Sequence, residues 1–133
     1  MHTTNYRNAF IAVSPDTKAV GAIVPDKPGS VAGRQYAMIA GAPHRLTSDD
    51  VIFTIHADRA GLAEAERPAA RAAYFSKGQA CQRSSPLVKS FGWGVHHDGE
   101  GRVALAALGS ADYAKYASDP ALEQTVGMRS KRA

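Results

Sequence analysis

The stretch Gly92-Trp93-Gly94-Val95-His96-His97-Asp98-Gly99-Glu100-Gly101-Arg102-Val103-Ala104-Leu105-Ala106-Ala107-Leu108 most narrows what this chain can become. Two runs that suit strands flank Asp98-Gly99-Glu100-Gly101, whose two glycines supply the positive backbone angles that a tight reversal needs. A β-hairpin over 93–108 follows, and with it a small antiparallel sheet. The expected fold class is α+β, with helices packed on that sheet.

The 133 residues, 44% hydrophobic and 21% charged, have the composition of one globular domain spanning 1–133. A chain of this size buries about two-thirds of its unfolded surface, so it needs no disulfide or metal to hold it. Cys81 is the single cysteine, which excludes an intramolecular disulfide and fits a reducing compartment, the cytoplasm by default. No apolar run approaches the roughly 20 residues of a membrane span. Pro15 and Asp16 interrupt the apolar stretch Ala9 to Val13, so the amino terminus does not read as a signal peptide.

Upstream of the hairpin, Phe10-Ile11-Ala12-Val13 reads as a strand stopped at Ser14-Pro15-Asp16, and Gly21 to Val24 as a weaker one. Ser30 is placed to cap a helix running to about Ala40. Thr47-Ser48-Asp49-Asp50 has the capping-box spacing, although the β-branched run Val51-Ile52-Phe53-Thr54-Ile55 also suits a strand. We read it as a helix of about a dozen residues, because Arg59 and Gly61 supply a C-terminus. Further helices are expected from about Ala65 or Pro68 to Phe75, from Pro86 to near Phe91-Gly92 with Ser85 as cap, from Ser110 to Ala117, and from Asp119-Pro120 to about Met128.

Charge is unevenly spread. The net +4 hides a block, residues 67–97, that holds Arg67, Arg71, Lys77, Arg83 and Lys89 without one carboxylate. Within it, Phe75-Ser76-Lys77-Gly78-Gln79-Ala80-Cys81-Gln82-Arg83-Ser84-Ser85-Pro86-Leu87 puts a thiol between two cations and just before two cap hydroxyls. Such a field favours anions and the thiolate over the thiol. The chemistry this suggests uses Cys81 as nucleophile and His96 or His97 as base, with Lys77, Arg83, Ser84, Ser85, Lys89 and Trp93 as ligand contacts. Each also has a plainer reading: a buried cysteine, ordinary helix caps, hairpin histidines and a core tryptophan.

Established templates do not match. Cys81 has no second cysteine at CxxC spacing and no arginine at phosphatase spacing, and neither a Walker lysine nor a G-x-G-x-x-G loop occurs. His96 and His97 are adjacent on a strand and point to opposite faces, and His2, His44 and His56 lack ligand spacing, so no metal and no cofactor is expected. The basic tail Met128-Arg129-Ser130-Lys131-Arg132-Ala133 lacks any accompanying motif for specific nucleic-acid recognition.

The phrase Phe75-Ser76-Lys77-Gly78-Gln79-x-Cys81-x-Arg83-x-Ser85-Pro86-Leu87, with Gly92-Trp93-Gly94-Val95-His96 and the closing Met128-Arg129-Ser130-Lys131-Arg132, resembles an uncharacterised family of small bacterial proteins, a domain of unknown function. Members also open like Met1-His2-Thr3-Thr4-Asn5-Tyr6 and carry a Thr47-Ser48-Asp49-Asp50-Val51 block. The resemblance implies a whole small bacterial protein and brings no activity or catalytic residues with it.

The function expected from the residues is therefore binding of a small anionic ligand at Lys77–Leu87, with thiol chemistry at Cys81. The alternative is a non-enzymatic module that uses the basic block and tail on an acidic protein or nucleic acid. Both readings leave open whether the chain is an enzyme, and a homodimer is expected on general grounds.

Overall fold

A computed structural model describes residues 1–130. Its four strands, β1 (Ala9–Ala12), β2 (Trp93–His97), β3 (Val103–Ala107) and β4 (Glu123–Val126), form one sheet in the order β3-β2-β1-β4. The expected hairpin is β2–β3, antiparallel, with Val95 opposite Leu105. β1 joins β2 antiparallel, with Ile11 opposite Val95, and β4 parallel, with Ile11 opposite Thr125. Five helices cover the sheet: α1 (Val31–Gly41), α2 (Ser48–Arg59), α3 (Arg67–Tyr74), α4 (Pro86–Lys89) and α5 (Ala111–Ala117). The architecture is α+β, as expected, with a mixed sheet.

Alternation along the strands assigns the two faces. Ile11, Val95 and Val103 point to one side, where they meet Ile39 of α1, Val51 and Ile55 of α2 and Val88 of α4, all seven buried. Phe10 points to the other and packs edge-on against Tyr113 of α5, ring centroids 5.1 Å apart. Gly94 sits where a Cβ would lie 2.5 Å from the Phe10 ring, so the ring occupies the space a side chain would take.

Local chemistry fixes the helix starts. Ser30 accepts the Gly33 amide at the head of α1. The capping box forms as read: Thr47 Oγ1 accepts the Asp50 amide at 3.1 Å, and Asp50 Oδ2 accepts the Thr47 amide at 3.0 Å. This settles Val51–Ile55 as helix. Its burial pattern explains why it resembles a strand. Val51 and Ile55 face the sheet, while Phe53 and Ala57 face Phe75 beyond α3, so two stripes with spacing i, i+4 interleave into an alternating pattern.

Two expected elements do not form. Gly21–Val24 is not a strand, because both edges of β1 are taken by β2 and β4. It is tied instead by the Ile23 amide to the Phe91 carbonyl at 2.8 Å, with Ile23 and Val24 more than half exposed. The expected terminal helix over 119–128 is a turn followed by β4. Asp119 caps only that turn, through the Ala121 amide. Beyond it, the Glu123 amide donates to Asn8 and the Gly127 amide to Ala12, both at 2.8 Å, satisfying the open edge of β1. The tail reading is limited to Met128–Ser130, and Lys131–Ala133 lie outside the described residues.

His97 is fully buried against the Tyr6 ring, and neither of its ring nitrogens has a hydrogen-bond partner. Burial drives its pKa from 6.5 down to about 4, with the Val95 backbone opposing the shift. The unfolded chain therefore takes up a proton that the fold refuses. Stability is complete above the ordinary histidine pKa and falls as pH drops from 6.5 towards 4, by about 3 kcal/mol in all. Urea unfolding at pH 7 and pH 4.5 should show this loss, and His97→Leu should remove most of it. Gly94→Ala should destabilise by about 1–3 kcal/mol at any pH through collision with Phe10, measured by the same unfolding.

Candidate functional site

The segment between α3 and α4 is held by its own buried amide. Gln82, in a 3₁₀ turn over Gln82–Ser84, is fully buried, and its Nε2 donates to Ser48 Oγ at 3.2 Å. Ser48 Oγ in turn lies 2.8 Å from Thr4 Oγ1. The residues on either side of this anchor are less buried. Cys81 is half-buried with Sγ 3.4 Å from Tyr6 Oη, and the Arg83 guanidinium donates from Nε to the Val126 carbonyl at 2.7 Å.

Ser85 does two jobs. Its Oγ caps α4 by accepting the Leu87 amide at 3.1 Å and donates to Gln35 Oε1 of α1 at 2.5 Å. Ser84 Oγ donates to the Met128 sulfur at 3.0 Å. Between these groups lies a hollow of about 220 Å³, whose walls include Gln35, Ile52, Tyr74, Cys81, Ser84 and Ser85. None of the described residues lining it is charged. Tyr6, behind the thiol, has its pKa raised to about 12, by burial first and then by its contact with Cys81, against the pull of Arg83. It is a phenol at neutral pH and can donate to the sulfur.

Three residues of the expected set, Cys81, Ser84 and Ser85, thus share one hollow. Lys77 is exposed, Lys89 lies in the last turn of α4, and neither lines it. Trp93 packs on Tyr36 and donates to the Ile23 carbonyl at 2.9 Å. His96 projects from the opposite face of the sheet, where it stacks on Tyr116 of α5. His97 shares the face of Val95 but is fully buried. The basic block is also partly neutralised: Arg67 pairs with Asp58 and Arg71 with Asp50, each at 2.9 Å, beside a wider groove of about 590 Å³ that includes Phe53 and Pro68.

Among the described residues, no group of three or more His, Cys, Asp or Glu could hold a metal ion. No helix among them is long and apolar enough to cross a membrane.

Residues 1–133 match the model of a family described as a family of unknown function. The chain belongs to DUF6157. The match spans the Cys81 segment, the strap from Thr3 to Tyr6 and the hairpin alike, so in this DUF6157 protein the hollow is built wholly from family sequence. No curated protein and no solved structure matches the chain.

Gln35, Tyr6 and Tyr74 entered the site without being expected there. Gln35 had a signal: it sits on the stripe of α1 shared with Ala32 and Ile39, where an amide needs a partner. Removing that partner should be costly. Ser85→Ala should destabilise by about 1–3 kcal/mol in urea unfolding, since it takes away a cap and leaves the Gln35 oxygen unpaired. Ser84→Ala should stay within about 0.5 kcal/mol, because Ser84 is partly exposed and holds only a sulfur contact.

Proposed function

We propose that this protein binds a small polar ligand in the hollow at Cys81. The observation that carries this reading is the lining itself: a thiol, two hydroxyls and the Gln35 amide converge on about 220 Å³ of space with apolar walls from Ile52 and Val31. That volume is below the roughly 300 Å³ at which drug-sized sites begin, so the ligand is a compact one. An uncharged lining selects by hydrogen bonds. It favours a neutral polar group, such as an amide, alcohol or carbonyl, over the anion that the composition of the segment suggests.

Cys81 supplies the one nucleophilic sulfur, and the Tyr6 phenol can hydrogen-bond it from behind. A reduced thiol in such a place fits a reducing compartment and hence the cytoplasm. Within the 67–97 block, Arg67, Arg71 and Arg83, which would serve an acidic macromolecular partner, are engaged with Asp58, Asp50 and the Val126 carbonyl.

A panel of small amides, alcohols, ketones and carboxylates, screened by ligand-observed NMR, tests the reading. Binders are expected among the neutral members, and at saturation they should slow alkylation of Cys81 by iodoacetamide several-fold. Ile52→Trp, which fills the hollow, should abolish both effects. A panel without binders, or binders that leave the alkylation rate unchanged, would overturn it.

A further inference from the structure

On the other face of the sheet, His44 Nε2 and His96 Nδ1 are 2.7 Å apart. Their ring centroids are 4.9 Å apart with the planes crossed at 88°. An imidazole nitrogen lies roughly 1.1 Å from its ring centre, so the two nitrogens face each other almost head-on, as a linear hydrogen bond requires. Head-on lone pairs suit a shared proton; a tetrahedral metal ion would need them to converge from an angle. His96 is further fixed by stacking on Tyr116, centroids 4.1 Å apart and planes within 7°.

The pair bridges separate parts of the chain. His44 lies in the connection between α1 and α2, in the left-handed region at φ 55°, whereas His96 lies on β2, opposite Ala104 of β3. That connection also lies along the outer edge of β3: the His44 amide donates to the Val103 carbonyl at 2.9 Å, and the Val103 amide donates to the Leu46 carbonyl at 2.8 Å. A bridge between Thr47 and Arg102 extends the cover. A histidine held at positive φ is there because its surroundings hold it.

We propose that His44 and His96 form a one-proton latch that keeps the α1–α2 connection on the edge of β3 and releases it when both rings are protonated. A hydrogen bond between two imidazoles needs one bare nitrogen, so the latched pair holds at most one extra proton where two separated histidines hold two. The latch therefore weakens as pH falls below the ordinary histidine range. The surrounding charges act on His96 from each neighbouring element. Asp98 in the hairpin turn and Asp119 beyond α5 favour its protonation; Lys115 of α5 and His44 oppose it, and burial opposes it most. Asp98 also feels His44. Tyr116 stays a neutral stacking surface, its own pKa raised by burial.

Hydrogen exchange followed by NMR separates this local opening from the general acid loosening caused by His97. After correction for intrinsic exchange rates, opening at the Val103 amide should increase by about tenfold per pH unit below about pH 6. The amide of Ile11, in the sheet centre, should stay protected until the whole fold loosens. His44→Gln and His96→Gln, which carry no titrating ring, should each flatten the Val103 profile. The latch is refuted if Val103 protection is independent of pH, if it falls only in step with Ile11, or if either folded glutamine variant keeps the wild-type slope.

Discussion

The first turn of α2 is where the structure is tied together. Asp49, nearly buried, accepts hydrogen bonds from Thr3 Oγ1, Thr4 Oγ1 and the Thr4 amide, all within 2.7 Å, and its own amide donates to Asn5. Carboxylates are favoured at a helix start, and this one spends its acceptor capacity on a distant segment of chain. The same turn carries Ser48, which links Thr4 to Gln82. One turn of helix thus positions the amino-terminal strap bearing Tyr6 and the loop bearing Cys81. The thiol–phenol contact is a product of that shared anchor.

Much of this was legible because it is local. Caps at Ser30, Thr47 and Ser85 depend on residues two or three places away, and the hairpin depends on two glycines in its own turn. β4 was not legible, since nothing within Glu123–Val126 signals a partner more than a hundred residues earlier in the chain. For the site, Cys81, Ser84 and Ser85 are neighbours in sequence and remain neighbours in space. Gln35, Ile52 and Tyr74 come from three different helices, and only packing brings them in.

The charge block shows the limit of reading composition along a line. Residues 67–97 contain no carboxylate, yet Arg67 and Arg71 sit one helical turn apart on α3 and face Asp58 and Asp50 of α2. Both carboxylates have pKa values below the usual range: Asp58 through hydrogen bonds from Arg34 and Arg67, and Asp50 because the Thr47 and Arg71 hydrogen bonds outweigh its burial. Two of the block's five cations are thus the other half of ion pairs, and the acids of those pairs lie earlier in the sequence.

Parallel pairing of β1 with β4 has a consequence for how the molecule is made. β1 is finished by Ala12, but its two neighbours begin at Trp93 and Glu123. During translation the nascent chain must carry the apolar Phe10 and Ile11 without a sheet to receive them until most of the sequence has emerged, and one edge stays open until Val126 clears the ribosome. Long-range pairings of this kind slow folding and prolong exposure of sticky strands. The strap from Thr3 to Asn5 can dock on Asp49 far sooner, giving the waiting strand a tether before it has a partner.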